Sequence, residues 1–95
     1  MSAYVILDIT VHDAELFEQY KKLAPETMAA YGGRYLARGG KAEALEGGWS
    51  PNRIVILEFD NAETAKQWLD SPEYREARSL RQQAATSHTI VVEGV

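Results

Sequence analysis

Apolar and polar residues alternate with a period of two in several segments, as they do in β-strands that bury one face. This pattern predicts strands at residues 3–11, 33–38, 53–59 and 88–93, and a further short alternating piece at 42–46. The first strand has one wholly apolar face and one mixed face, and the third is the most apolar strand. We therefore expect these two strands to lie at the centre of a sheet with both faces covered.

Between these strands the apolar residues recur at helical spacing. Asp13 is the predicted N-cap of the first helix, and Asn61, or Asp60, is that of the second. Ser71 is followed by proline and is predicted to cap a further helical segment. Pro25 lies within the first helical pattern. Because proline lacks an N–H, we expect either a kink there or a break with a second short helix beginning at Pro25.

The predicted elements follow the order strand, helix, strand, strand, helix, strand, which is that of ferredoxin-like folds. The sequence thus predicts an α+β fold, βαββαβ, with both helices on one face of a four-stranded antiparallel sheet. We expect residues 1–95 to form a single domain. The other sheet face would carry Ile6, Leu36, Ile54 and Ile56. An apolar surface of this kind is typical of an interface, so we expect a homodimer that packs through its sheet faces.

Composition and charge argue against several classes of protein. The 95 residues carry a formal net charge of -4 and no basic block, so a nucleic-acid partner is not expected. The absence of cysteine excludes disulfides, thiolate metal sites and cysteine nucleophiles. The first residues lack the basic segment and apolar run of a signal peptide, and no membrane span is predicted. We expect a cytoplasmic protein.

Two glycine pairs bracket a strand that contains two arginines within residues 32–40. By strict alternation, Arg34 and Arg38 point to the same face of the sheet. In the predicted strand order Arg34 is a neighbour of Glu58, and Arg38 is expected to meet Asp8 across the intervening strand. These four residues are predicted to form either an ion-pair network at the dimer interface or a second pocket for an organic anion, with arginine as its bidentate clamp.

Several motifs together resemble one known family. They are Gly-Gly-Arg-Tyr-Leu-Ala-Arg-Gly-Gly at 32–40, Leu-Glu-Gly-Gly-Trp at 45–49, Leu-Glu-Phe at 57–59, Asp-Ser-Pro-Glu-Tyr at 70–74 and Val-Glu-Gly-Val at 92–95. The chain resembles domain of unknown function family 1330 (DUF1330) of the dimeric α+β barrel superfamily. The resemblance implies a fold and a dimer, since the family has no established activity. Relatives at superfamily level include cofactor-independent monooxygenases, muconolactone isomerases and stress-responsive barrel proteins.

Two functions remain open at this point. The first is an enzyme of monooxygenase or isomerase type that acts, without cofactor or metal, on a small organic anion in a cavity between helices and sheet. Its candidate ligand-binding residues are Tyr20, Tyr35, Trp68, Tyr74 and Arg81. The aromatic residues would shape the cavity, and Arg81 would bind a carboxylate or enolate. The second is a non-catalytic small-molecule-binding or stress-related homodimer in which the same residues form a solidly packed core.

Overall fold

Four strands and three helices make up the computed structural model, which describes residues 1–95. The strands are β1 (Ala3–Val11), β2 (Arg34–Arg38), β3 (Arg53–Phe59) and β4 (Ala85–Glu93), and the helices are α1 (Ala14–Ala29), α2 (Ala62–Leu69) and α3 (Pro72–Ala84). The predicted element order is confirmed, with the second helical region in two pieces. None of the helices combines the length and the apolar run needed to cross a bilayer.

The sheet is antiparallel throughout and has the strand order β2-β3-β1-β4. The predicted central position of β1 and β3 is confirmed, and both strands have the predicted bounds. Along β1 every second residue is buried, from Ala3 to Ile9. The fourth strand begins at Ala85, directly after α3, and so starts earlier than the predicted 88.

The helices cover one face of the sheet and enclose an aromatic core. Trp68 and Tyr74 are 1% and 0% exposed, and their ring centroids lie 4.1 Å apart. Phe59 of β3 also packs against Trp68, with ring centroids 5.5 Å apart. Burial of large apolar side chains of this kind contributes about 1.5–3 kcal/mol each. The core therefore joins α2 and α3 to the middle of the sheet.

Each helix begins at a predicted capping residue. The side chains of Asp13, Asn61 and Ser71 accept hydrogen bonds from the backbone N–H three residues further on, at O–N distances of 3.1, 2.8 and 3.1 Å. These bonds satisfy N–H groups that have no partner within the helix. The helix starts are therefore determined locally.

The predicted break at Pro25 and the predicted short piece of strand at 42–46 are wrong. α1 continues through Pro25 as one helix, so no second helix begins there. Proline removes the N–H that would bond the Lys21 carbonyl four residues earlier, and Arg38 Nη2 donates to that carbonyl instead, at 3.1 Å. Residues 42–46 form no strand and lie in the loop between β2 and β3.

The sheet face away from the helices is apolar at its centre, as predicted. Ile56, Ile6 and Ile90 are direct cross-strand neighbours on this face. Ile90 and Val92 are 58% and 45% exposed. We call the surface formed by Ile6, Ile54, Ile56, Ile90 and Val92 the open face.

Substitution of Gly33 by alanine tests the packing between the end of α1 and β3. An added Cβ would lie 2.6 Å from Met28 Cγ and 2.7 Å from the Phe59 ring. Because both neighbours belong to the core, we expect Gly33→Ala to lower the free energy of unfolding by about 1–3 kcal/mol, measured by urea denaturation. The matched control is Gly40→Ala, whose Cβ would meet nothing within 4 Å. Equal stability of the two variants would contradict this packing.

Candidate functional site

A β-bulge in β2 decides which residues face the helices. Arg34 pairs with Glu58, but after the bulge between Tyr35 and Ala37 the register shifts, and Arg38 pairs with Val55. Val55 is a buried residue on the helix side of β3. The prediction that Arg34 and Arg38 share a face is therefore wrong, because the bulge interrupts the two-residue alternation.

Arg38 lies over the edge of the sheet and contacts α1. Its guanidinium carbon is 4.6 Å from the centroid of the Tyr35 ring, and it donates to the Lys21 carbonyl. The expected contact between Arg38 and Asp8 is wrong. Asp8 is on the open face, where its carboxylate accepts hydrogen bonds from Trp49 Nε1 at 3.1 Å and from the Asn52 backbone N–H at 3.0 Å.

The other predicted ion pair is present. Arg34 Nε donates to Glu58 Oε1 at 2.6 Å, and the Arg34 hydrogen bond holds the pKa of the Glu58 carboxyl below its ordinary value. The pair lies at the far end of β2 from Arg38 and on the opposite face of the sheet. The four charged residues Asp8, Arg34, Arg38 and Glu58 thus do not form one site.

A narrow crevice lies between α1 and the helix-side face of the sheet. We call it the α1 crevice, and its walls are Leu7, Ile9, Phe17, Tyr20, Lys21, Ala24, Tyr35, Arg38, Arg53, Val55, Leu57 and Trp68. Its volume is about 20 Å³, which accommodates about one water molecule. Of the candidate ligand-binding residues, Tyr20, Tyr35 and Trp68 lie in this wall.

Three cations surround the α1 crevice. Arg38 is exposed, and Lys21 and Arg53 are partly buried. The guanidinium carbon of Arg53 lies 5.4 Å from the centroid of the Phe17 ring, and its Nε is buried without a hydrogen-bond partner. Lys21 forms an ion pair with the exposed Glu18 at 2.8 Å. The crevice wall itself contains no carboxylate and no imidazole.

Lys21, Phe17 and Arg53 were not among the candidate ligand-binding residues predicted from the sequence. A signal for Arg53 was available, since it precedes Val55 and Leu57 at two-residue spacing and therefore occupies an inward position of β3. The turn that follows β2 approaches the Arg53 side chain closely, which confirms this position. Gly39 has a φ of 74°, and a Cβ there would overlap the Arg53 guanidinium.

Tyr74 and Arg81 lie behind the wall of the α1 crevice. The Tyr20 and Tyr74 hydroxyl oxygens are 2.9 Å apart, and Arg81 Nε is 3.4 Å from the Tyr74 oxygen. Arg81 is only 6% exposed, yet it forms no ion pair with any carboxylate. Burial raises the pKa of Tyr20 above its ordinary value.

The two histidines lie at separate places on the sheet. His12 Nε2 is 2.8 Å from Thr86 Oγ1, whereas His88 is opposite Asp8 in the register of β1 and β4. They are therefore not adjacent to each other, and neither lies in the wall of the α1 crevice.

The architecture is that of a ferredoxin-like α+β protein with an apolar sheet face and a crevice under its first helix. The chain belongs to the family described as Domain of unknown function (DUF1330), whose model matches residues 2–95. No protein of curated function matches the sequence.

Solved structures with the same fold include proteins of known and unknown function. RPA0582 from Rhodopseudomonas palustris, of unknown function, is 19% identical with a TM-score of 0.79, over 99% of this chain and 82% of that one. A dimeric ferredoxin-like protein of unknown function from Jannaschia sp. CCS1 is 8% identical with a TM-score of 0.73, over 99% and 100%. SnoaB, a cofactor-independent oxygenase from Streptomyces nogalater, is 14% identical with a TM-score of 0.69, over 99% and 93%. At these identities the similarity establishes the fold alone.

The burial of Tyr20 predicts a dependence of stability on alkaline pH. Because its pKa is higher in the folded protein than the ordinary 10.0, its contribution is complete below about pH 10 and is lost as the pH rises towards the folded-state pKa. We expect the free energy of unfolding in urea to fall less between roughly pH 8 and pH 11 in Tyr20→Phe than in the parent. Identical pH slopes for the two proteins would contradict this assignment.

Proposed function

We propose that the protein is a homodimer that binds a small organic anion at the α1 crevice of each protomer. The observation that carries this proposal is the pair of arginines, Arg38 and Arg53, at an otherwise aromatic and aliphatic crevice, where neither forms an ion pair with a carboxylate. Lys21, the third cation there, is paired with Glu18. The chain as a whole is acidic, with a net charge of -4. A local concentration of positive charge on such a protein attracts an anion to this place.

The side chains at the crevice suit a flat anion. Arginine presents paired N–H donors that match a carboxylate, and the rings of Phe17, Tyr20 and Tyr35 offer apolar contact. Arg53 Nε is buried without a partner, so a ligand oxygen would satisfy a donor that now has none. The present volume is too small for an organic molecule. In our proposal, Arg38 exchanges its hydrogen bond to the Lys21 carbonyl for one to the ligand and so opens the crevice.

The homodimer is supported by the open face. Its central row of Ile6, Ile56 and Ile90 is a flat apolar surface of the kind that marks interfaces. The Jannaschia protein with the same fold is described as dimeric. Each protomer keeps its α1 crevice on the opposite side of the sheet, so a dimer through the open faces leaves both crevices accessible.

Two functions are compatible with anion binding. The first is a cofactor-independent enzyme of monooxygenase or isomerase type, which the fold shared with SnoaB supports by analogy. The second is a non-catalytic binding dimer. The composition of the wall favours the second, because no carboxylate or imidazole lies there to act as a general base. Turnover of a bound phenol or carboxylate, followed by oxygen uptake and by absorbance, distinguishes the two.

Anion binding is tested by thermal shift with benzoate as the probe, within a screen of small carboxylates and phenols. A ligand at 100 times its Kd adds about 2.7 kcal/mol of stability. We expect Arg38→Met and Arg53→Met each to weaken benzoate binding by about tenfold or more, because each removes a charge-assisted hydrogen bond.

The control for these variants is Lys22→Met, which removes an exposed charge of α1 outside the crevice wall. It should bind benzoate as the parent does. Benzamide, which has a similar shape without the charge, should stabilise the parent much less. Equal effects of benzoate and benzamide, or equal losses in Lys22→Met and Arg38→Met, would refute the anion site.

The dimer is tested by Ile56→Asp. A carboxylate placed without a partner in a dry interface costs about 3–5 kcal/mol, so we expect the parent to be a dimer and this variant a monomer by light scattering at micromolar concentration. Leu23→Asp is the control, since Leu23 is on α1 and is 37% exposed. A monomeric parent, or a dimeric Ile56→Asp, would overturn the proposed interface.

A further inference from the structure

The chain of hydrogen bonds from Arg81 through Tyr74 to Tyr20 has a direction. A guanidinium N–H can only donate, so Arg81 Nε donates to the Tyr74 oxygen across 3.4 Å. The two phenols have one proton each, and the 2.9 Å contact between their oxygens uses only one of them. One phenol proton is therefore left for another acceptor.

The burial of the two residues decides which proton is left over. Tyr74 is 0% exposed, and its hydroxyl has no partners other than Tyr20 and Arg81. If Tyr20 donated to Tyr74, the Tyr74 proton would be buried without an acceptor, which is costly. If Tyr74 donates to Tyr20, the Tyr74 hydroxyl is fully satisfied. The free proton then belongs to Tyr20, which lies in the wall of the α1 crevice.

We propose that Tyr20 donates this hydroxyl proton in a hydrogen bond to an oxygen of the molecule in the α1 crevice, and that Tyr74 and Arg81 are positioning residues that set the direction of this bond. The inference rests on the proposed anion site and deepens it by naming the class of ligand. That ligand is a hydroxy- or oxo-substituted organic anion, with its charged group at Arg38 and Arg53 and a second oxygen at Tyr20. Burial raises the pKa of Tyr20, so its hydroxyl acts as a donor and not as a base.

The experiment compares 4-hydroxybenzoate with 4-methylbenzoate by titration calorimetry. The two probes have nearly the same shape and charge, and only the first has an oxygen that can accept from Tyr20. We expect the parent to bind 4-hydroxybenzoate about tenfold more tightly, which is the effect of one hydrogen bond. Tyr20→Phe should bind the two probes with equal affinity, because neither probe then receives a hydrogen bond at this position. Tyr74→Phe should show a smaller preference for 4-hydroxybenzoate than the parent, because the Tyr74 hydroxyl no longer orients the Tyr20 hydroxyl.

The matched control is Tyr31→Phe, which removes a hydroxyl that donates to Glu73 Oε1 at 2.9 Å outside the crevice wall. It should keep the full preference of the parent. Because each comparison is between two ligands on one folded variant, a loss of stability does not imitate the expected result. If Tyr20→Phe alone does not fold, the triple variant Tyr20→Phe/Tyr74→Phe/Arg81→Met removes both hydroxyls together with the buried guanidinium that donates to Tyr74.

The possible outcomes separate this inference from the proposed function. If the parent binds both probes equally, anion binding stands and donation by Tyr20 is refuted. If Tyr20→Phe keeps the preference, the acceptor on the ligand is served by another group and the inference is also refuted. A full preference in Tyr74→Phe overturns the positioning role. If neither probe binds the parent at all, the anion site and the inference fall together.

Discussion

The bulge in β2 is the feature on which the candidate site depends. Without it, Arg38 would continue the alternation begun by Arg34 and would point to the open face. With it, Arg38 pairs with Val55 on the helix side, stacks on Tyr35 and reaches α1. One extra residue in a strand moves every later side chain to the other face. The same irregularity therefore brings a cation to the α1 crevice.

Pro25 and Arg38 complement each other across the crevice. The proline leaves the Lys21 carbonyl without its helical donor, and the guanidinium supplies one at 3.1 Å. α1 continues through the proline, and this hydrogen bond joins it to β2. In the proposed function, an anion at the α1 crevice replaces this bond.

Arg81 shows how polar groups are accommodated in the interior. A buried cation without a carboxylate is expensive, yet Arg81 is 6% exposed and donates only to the Tyr74 hydroxyl. In the direction proposed for this chain of hydrogen bonds, Arg81 donates to Tyr74 and Tyr74 donates to Tyr20. The chain ends at Tyr20, in the wall of the α1 crevice.

The sequence by itself determined the features that depend on local chemistry. The bounds of β1 and β3, the three capping residues and the element order all follow from spacing and from hydrogen bonds that span three residues. Three of the candidate residues, Tyr20, Tyr35 and Trp68, were recognised because inward aromatic residues are visible in the pattern. The tertiary structure decided the rest. A bulge has no distinct hydrophobic signature, the donor that rescues the Lys21 carbonyl comes from another element, and Tyr20 meets Tyr74 across 54 residues of sequence. Such contacts depend on how helices pack on the sheet, and no local pattern encodes that packing.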